Sequence, residues 1–197
     1  RYIISVIVAS FLLVSCSNER LANPSQYVNP FIGASTSTGL AGTYHGMGKT
    51  FPGATTPYGM VQVSPQTITG GDNSSGYSYE HKTIEGFAFT QMSGVGWYGD
   101  LGNFLTMPTT GKLQLIAGRE DGSIQGYRSL YDKSSEEASA GYYCATLTDY
   151  NIKAEATAAS HSGILRFTYP ANSQSRIQID LARRVGGTST TQYIQVK

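Results

Sequence analysis

Alternation of apolar and polar residues is the clearest pattern along this 197-residue chain. Val61 and Val63 alternate with Gln62 and Ser64, and a period of two is typical of strands with one buried face. Similar runs predict strands at residues 60–64, 112–115, 141–147, 152–158, 163–169 and 176–181. Clusters of Gly, Pro, Asn and Asp separate the runs, and no segment shows three turns of helical periodicity. The sequence therefore predicts an all-β fold, an antiparallel β-sandwich with long structured loops.

Three of these runs place their larger apolar residues on one face. Within residues 152–158, one face carries Ile152, Ala154 and Ala156. Residues 112–115 follow the same rule with Leu113 and Leu115, and residues 176–181 with Ile177, Ile179 and Leu181. We expect each of these faces to lie against the core.

The first residues have the pattern of a targeting segment. Residues 2–14 are mostly apolar and too short to span a bilayer comfortably, and the motif Leu13-Val14-Ser15-Cys16 lies at the end of this stretch. This looks like a bacterial lipobox and predicts a signal peptide at residues 1–15, lipidation of Cys16, a polar tether to residue 25, and a folded domain at 26–197. A generic signal peptide with an incidental cysteine is the alternative. The lipobox interpretation predicts a membrane anchor in the bacterial cell envelope, at the periplasmic side or the cell surface.

Composition narrows the possible partners. The formal net charge is +1, so no nucleic-acid partner is expected. The chain has 14 Tyr and 23 Gly, and only 14% of its residues are charged, which is typical of a β protein rich in turns. After Cys16 one cysteine remains, Cys144, in a strand-like run where it is expected to act as a small buried hydrophobe.

Residues 30–111 are dense in glycine and aromatic residues and predict a structured, loop-built surface. Aromatic faces with few charges suit sugars, because rings pack on sugar C–H groups while polar side chains bind the hydroxyls. The three histidines are isolated, so no metal-ligand spacing is present. Most carboxylates fall in predicted turns, and Asp100 is the exception, since it follows Trp97-Tyr98-Gly99. Its carboxylate either orients a sugar hydroxyl or caps a turn.

Four blocks of sequence resemble the N-terminal domain of glycoside hydrolase family 92. They are "QYVNPFIG" at residues 26–33, "KTFPGATTPYGMVQVSP" at 49–65, "GYSYEHKTIEGFAFTQMSGVGWYGDLGNFLTMPTTG" at 76–111 and "GYYCATLTDYNIKAEATAASHSGILRFTYP" at 141–170. The resemblance implies a calcium-dependent, inverting exo-α-mannosidase that removes mannose from glycans. It also implies that a larger C-terminal helical domain of the same polypeptide supplies both catalytic carboxylates and most calcium ligands. No catalytic or metal-binding residue is therefore assigned within this chain, which is interpreted as a truncated piece ending in a strand-like run at residues 192–197.

The resemblance also implies which residues of this chain border the substrate. Phe51, Gly53, Trp97 and Asp100 are expected to face the interface with the helical domain. Trp97 either stacks on a mannose ring or anchors that domain. Many family members carry Ser-His-Thr-His where this chain has Ala88-Phe89-Thr90-Gln91, so both histidines are replaced, which leaves activity and linkage preference open. The alternative function is a non-catalytic, carbohydrate-binding β-sandwich lipoprotein.

Overall fold

The computed structural model describes residues 23–35, 49–69, 75–93, 100–188 and 192–195. A short 3₁₀ helix, Pro24–Tyr27, comes first. The strands are β1 (Ala54–Thr55), β2 (Gln62–Gln66), β3 (Thr83–Ile84), β4 (Gly86–Ala88), β5 (Leu105–Thr109), β6 (Ser129–Ser139), β7 (Tyr142–Leu147), β8 (Ile152–Ala158), β9 (Gly163–Thr168), β10 (Arg176–Asp180), β11 (Arg183–Arg184) and β12 (Gly187–Thr188).

The strands form two five-stranded antiparallel sheets and one short hairpin. Sheet 1 has the order β1-β2-β4-β5-β10, and sheet 2 has the order β3-β6-β7-β8-β9. β11 and β12 pair separately as the hairpin. Strand β8 contacts β1, β2 and β5 across the space between the sheets. The all-β, antiparallel fold class predicted from the sequence is thereby confirmed.

The main core lies between the two sheets and is built from the alternating positions. Ile152, Ala154 and Ala156 of β8 are all at most 2% exposed, as their pattern predicts. The ring of Phe87 lies 6.4 Å from that of Tyr143 and 6.0 Å from that of Phe167, so one aromatic of sheet 1 packs on two of sheet 2. Tilted ring pairs at these separations are favourable, and they hold the sheets together.

A second, polar layer covers the outer face of sheet 1. Val63 faces the main core, so its neighbours Ser64 and Gln66 point to the other side of the sheet, yet both are fully buried. A smaller cluster of Ala34, Phe51 and Tyr77 is buried separately from the main core. The loops between the short strands therefore fold over sheet 1, in agreement with the structured, loop-built surface predicted for residues 30–111.

Three expectations about strands are wrong. Residues 112–115 form no strand, and Leu113 and Leu115 are 50% and 78% exposed, because alternation alone supplies no pairing partner. Ile177 and Ile179 of β10 do share a face, but that face is exposed. Residues 192–195, the described part of the predicted terminal strand, are also not in a strand.

The longest strand, β6, had no counterpart in the sequence prediction. Its sequence is mostly polar, and its register with β7 shifts between Asp132 and Glu137. This bulge buries Glu136, which accepts hydrogen bonds from the hydroxyls of Tyr77 and Tyr143 at 2.8 and 2.9 Å. A polar strand with a bulge has no regular period, so its pattern gives no strand signal.

Cys144 is 3% exposed, which confirms the expectation of a small buried side chain. Cys16 and the predicted signal peptide lie outside the described residues. In the part of the chain that is described, no helix has the length and apolar character needed to cross a membrane.

Candidate functional site

An open groove of about 540 Å³ lies where β6 turns into β7, beside β1 and the start of β2. Its walls include Val28, Pro30, Phe51, Tyr58, Gln62 and Ser93. No charged residue is found among the described residues that line it. The groove therefore offers rings, hydroxyls and an amide, which suits a neutral polar ligand with apolar faces.

Gly53 lies in this groove because two strands approach closely there. A Cβ atom at this position would stand 2.2 Å from the carbonyl oxygen of Val63 and 2.6 Å from the Cα atom of Ser64. Both atoms belong to the backbone of β2, which pairs with β1 directly after Gly53. The glycine is thus required by strand packing, whatever binds in the groove.

Phe51 is mostly buried beneath the groove. Its side chain is 5% exposed and lies in the cluster with Ala34 and Tyr77. Tyr77 is itself fixed by its hydrogen bond to Glu136, and burial, together with that carboxylate, raises the pKa of the Tyr77 hydroxyl far above its usual range. Phe51 therefore forms a rigid floor, with only an edge of its ring available to a ligand.

Tyr58 is the exposed aromatic of the groove, and no sequence pattern marks it as a site residue. Its relative exposure is 104%, and its φ angle of 58° is unusual for a residue other than glycine. Pro57 precedes it, and the amide of Gly59 donates to the carbonyl of Thr56 at 3.0 Å, which closes the turn. This turn keeps the ring in solvent at some cost in backbone strain, which is typical of binding sites. Proline and glycine are common turn residues, but nothing in the local sequence shows which aromatic side chain the fold leaves uncovered.

Trp97 and the rest of the predicted loop, residues 94–99, lie outside the described residues, whereas the residues on either side are described. The amide of Gly102 donates to the backbone oxygen of Thr90 at 3.3 Å and to its hydroxyl at 3.2 Å. Asp100 pairs with Arg184, and its side chain is 91% exposed. Thr90 and Gly102, which flank residues 94–99 in the sequence, are therefore bonded to each other, and the Asp100 carboxylate stands in solvent.

Phe89 and Gln91, at the two positions where the family resemblance implies histidines, face opposite sides of sheet 1. Phe89 packs against the main core, and its ring leaves no space for a Cβ at Gly163. Gln91 is 3% exposed, and its Nε2 donates to Oε1 of Gln66 at 3.3 Å in the polar layer. Within the described structure its own Oε1 has no hydrogen-bond partner. Phe89 therefore packs against the core, and Gln91 lies in the polar layer, three residues before residue 94.

A second, polar cleft of about 760 Å³ lies at the other end of β2, with Glu85, Arg128 and Arg183 among its lining residues. Glu85 pairs with both arginines, and the nearby Asp121 accepts hydrogen bonds from Ser123. Across the described ranges, no group of three or more His, Cys, Asp or Glu side chains is placed to hold a metal ion. Calcium takes six to eight oxygen ligands, so these residues do not fit a calcium site.

The model of one known protein family matches almost the whole predicted folded domain. The family model described as "Glycosyl hydrolase family 92 N-terminal domain" matches residues 27–197. This chain belongs to glycoside hydrolase family 92. The resemblance inferred from the four sequence blocks is confirmed. The groove and Tyr58 are therefore features of a family 92 N-terminal domain.

Solved family 92 structures share this fold. The α-mannosidase BT3965 from Bacteroides thetaiotaomicron is 41% identical, with a TM-score of 0.74, over 83% of this chain and 21% of that one. Its complex with mannoimidazole gives a TM-score of 0.73 at the same identity, over 82% and 20%. The inverting mannosidase BT2199 from Bacteroides thetaiotaomicron VPI-5482 is 25% identical, with a TM-score of 0.62, over 79% and 19%.

A curated relative also matches part of the chain. It is named an uncharacterized secreted glycosidase of Arthroderma benhamiae, and it is 31% identical over 137 residues, which are 68% of this chain and 17% of that protein. The chain thus spans about a fifth of the length of the relatives it matches.

Proposed function

We propose that this chain is the N-terminal domain of an exo-acting α-mannosidase that removes mannose from glycans. The observation that carries the proposal is the 41% identity to the α-mannosidase BT3965, over 83% of the chain and with the same fold. The groove supports it independently, since its described lining is uncharged and combines rings with hydroxyls. A sugar needs that combination.

In this proposal the chain supplies binding surface. Tyr58 presents an exposed ring at the groove, and Phe51 and Gly53 form its rigid floor. Trp97 stacks on the mannose ring from the loop closed by Thr90 and Gly102, and the exposed carboxylate of Asp100 accepts hydrogen bonds from sugar hydroxyls. These groups orient the sugar and exclude water from one side of it.

The acid and base groups come from the C-terminal helical domain in this account. An inverting glycosidase needs two carboxyl groups about 6.5 to 9.5 Å apart. The described lining of the groove contains no carboxyl group, so this chain would provide neither of them. We propose calcium dependence and inversion on the family resemblance, with calcium held mainly by the helical domain. One relative is named an inverting mannosidase, which supports the proposed inversion of configuration.

We also propose that the protein acts outside the cytoplasm, attached to the bacterial envelope through lipid on Cys16. The apolar run before Cys16 and the secreted relative support this location. Cys16→Ser should release the protein from the membrane fraction and abolish incorporation of labelled fatty acid. Unchanged labelling in that variant would contradict the anchor.

The central experiment is an assay of mannose release. The longer protein that contains this chain should release mannose from an α-mannoside, lose activity with a calcium chelator and recover it with added calcium. The first product seen by NMR should be the β anomer, and the 197-residue chain alone should show no turnover. Mannoside binding by the longer protein without any turnover would instead favour a non-catalytic carbohydrate-binding role.

A further inference from the structure

Glu136 is a buried carboxylate that joins the two apolar clusters of the fold. Its side chain is 1% exposed, and the Lys133 ammonium donates to its Oε2 at 2.8 Å. Its Oε1 accepts from the hydroxyl of Tyr77, in the small cluster, and from that of Tyr143, in the main core. Burying a charge costs stability unless its partners compensate, and both oxygens have close donors here. One carboxylate therefore ties the loops over sheet 1 to the strands of sheet 2.

The bulge in β6 gives this carboxylate a direct link to the groove. The register of β6 with β7 shifts between Asp132 and Glu137, so residues 133–136 form the bulge. Shortly after it the strand ends, and residues 139–141 line the groove. A bulge bends the strand that carries it, so the bonds that hold the bulge also set where the strand ends. Glu136 therefore affects part of the groove lining through its own strand.

Tyr77 leads from Glu136 to the floor of the groove. Its hydroxyl donates to the carboxylate at 2.8 Å and accepts from the Lys133 ammonium at 3.2 Å. Its ring is fully buried and packs in the small cluster with Phe51 and Ala34. Because the hydroxyl is held and the ring is enclosed, Tyr77 fixes the position of Phe51 beneath the groove.

Lys133 provides a second route from this carboxylate to the groove. Its ammonium lies 4.2 Å from the ring centroid of Tyr79, a separation at which a cation is attracted to the face of the ring. Tyr79 packs edge-on against Phe31, and the two ring centroids are 5.8 Å apart. Pro30, the residue before Phe31, lines the groove. Lys133 therefore supports the stretch of chain that carries Pro30.

We propose that Glu136 is a positioning residue for the groove. It holds the floor through Tyr77, a second stretch of the lining through Lys133, and residues 139–141 through the bulge. Glu136 is not among the described residues that line the groove, and it acts only through these partners. Its importance for sugar binding rests on the proposed mannosidase function, whereas the mechanical link does not.

Tyr77→Phe and Tyr143→Phe form a matched pair of variants. Each removes one hydroxyl that donates to the same carboxylate oxygen, and each keeps the ring. Hydrogen exchange in the longer protein, followed by mass spectrometry, reads the result from peptides that contain the hydrogen-bonded amides of Ala34 and Tyr79. These peptides should exchange about fivefold faster in Tyr77→Phe, because local opening becomes easier by the value of one hydrogen bond. In Tyr143→Phe they should exchange at the wild-type rate.

Kinetic constants separate positioning from a purely structural role. Tyr77→Phe should raise KM for an α-mannoside about fivefold and leave kcat unchanged. The reason is that the groove binds the sugar, while the proposed acid and base groups lie in the helical domain. Tyr143→Phe should keep the wild-type KM, since its hydroxyl leads into the main core.

Glu136→Gln tests the carboxylate itself, because it removes the charge and keeps the size of the side chain. It should raise both KM and the exchange rate about tenfold, more than Tyr77→Phe does, since all three links to the groove weaken. Glu155→Gln is the control, because Glu155 is also a shielded carboxylate paired with an arginine but lies on β8. It should lower the melting temperature and leave KM and the exchange of these peptides at the wild-type values.

Three results would overturn the proposal. Equal acceleration of exchange in the two tyrosine variants, or in the two glutamine variants, would indicate general loosening. Wild-type exchange in Tyr77→Phe would show that the link to Glu136 does not hold the loops. Faster exchange with an unchanged KM would make Glu136 a structural residue without a role in binding. If Glu136→Gln fails to fold, the tyrosine pair alone decides.

The exchange readout needs no sugar, so it is independent of the mannosidase assay. Absence of mannose release would remove the proposed function and leave the effect of Tyr77→Phe on exchange in place. Unchanged exchange would remove the positioning role of Glu136 and leave mannose release in place.

Discussion

Gly53 offers a sharp test of how the groove is built, through the substitution Gly53→Ala. The added Cβ would stand 2.2 Å from the carbonyl oxygen of Val63 and 2.6 Å from the Cα atom of Ser64. Neither atom can rotate away, since both belong to the backbone of β2. The pairing of Ala54 with Val63, the first of the β1–β2 ladder, must therefore open to admit one methyl group.

The cost of this substitution follows from the geometry. Overpacking a well-filled site costs about 1 to 3 kcal/mol when side chains can adjust, and here the backbone must move, so we expect about 3 kcal/mol or more. For a chain of this length, each kcal/mol lowers the melting temperature by about 2–4 °C. The expected decrease in melting temperature is therefore about 6–12 °C.

Thermal melting followed by circular dichroism measures this decrease, and Gly111→Ala is the control. Gly111 has a φ angle of 73° and open space around a built Cβ, so its substitution adds backbone strain without a clash. We expect it to cost only about 1–2 kcal/mol. If Gly53→Ala melts no lower than Gly111→Ala, the close approach of β1 and β2 does not explain the glycine. If Gly53→Ala keeps the wild-type melting temperature but loses sugar binding, Gly53 is instead required because the ligand contacts it.

Two further predictions concern an exposed ring and a shielded carboxylate. Tyr58→Ala in the longer protein should raise KM for an α-mannoside about tenfold with an unchanged melting temperature, whereas Tyr58→Phe should keep the wild-type KM, because stacking needs only the ring. A lower melting temperature with an unchanged KM would assign Tyr58 to packing. Hydrogen bonds, chiefly from Arg166 and next from Tyr142, lower the pKa of Glu155 to about 2. The Glu155 carboxylate therefore stabilises the fold fully above about pH 4.5, and this stabilisation is lost as the pH falls toward 2. Glu155→Gln should therefore reduce the free energy of unfolding by about 1.5–3 kcal/mol at neutral pH. Between pH 4.5 and 2, the free energy of unfolding measured by chemical denaturation should fall less in the variant than in the wild type. An equal fall in both proteins would contradict this.

Strands with a regular period were predictable, and irregular ones were not. β8 occurs at the predicted residues 152–158 because its apolar residues alternate without interruption. β6 escaped prediction because a bulge and buried polar partners, such as Glu136, interrupt its period. Residues 112–115 alternate equally well but pair with no strand in the described structure, and pairing depends on residues distant in sequence.

The groove was predictable only in part. Dense glycine and aromatic residues predicted a loop-built surface at residues 30–111, and the family resemblance pointed to Phe51 and Gly53, which both lie in the groove. The exposure of Tyr58 depends on the whole fold. The pairs of Glu85 with Arg128 and Arg183 join residues far apart in sequence, and no local pattern reveals them.

The kinetics of Trp97→Ala in the longer protein test the central claim most directly. If this chain forms a wall of the mannose pocket, loss of the stacking ring should cost about 1 to 3 kcal/mol, which lowers kcat/KM for an α-mannoside roughly 5- to 150-fold. The melting temperature should stay within about 2 °C of wild type, a shift of less than about 1 kcal/mol. An unchanged kcat/KM would contradict the claim that this domain binds the sugar.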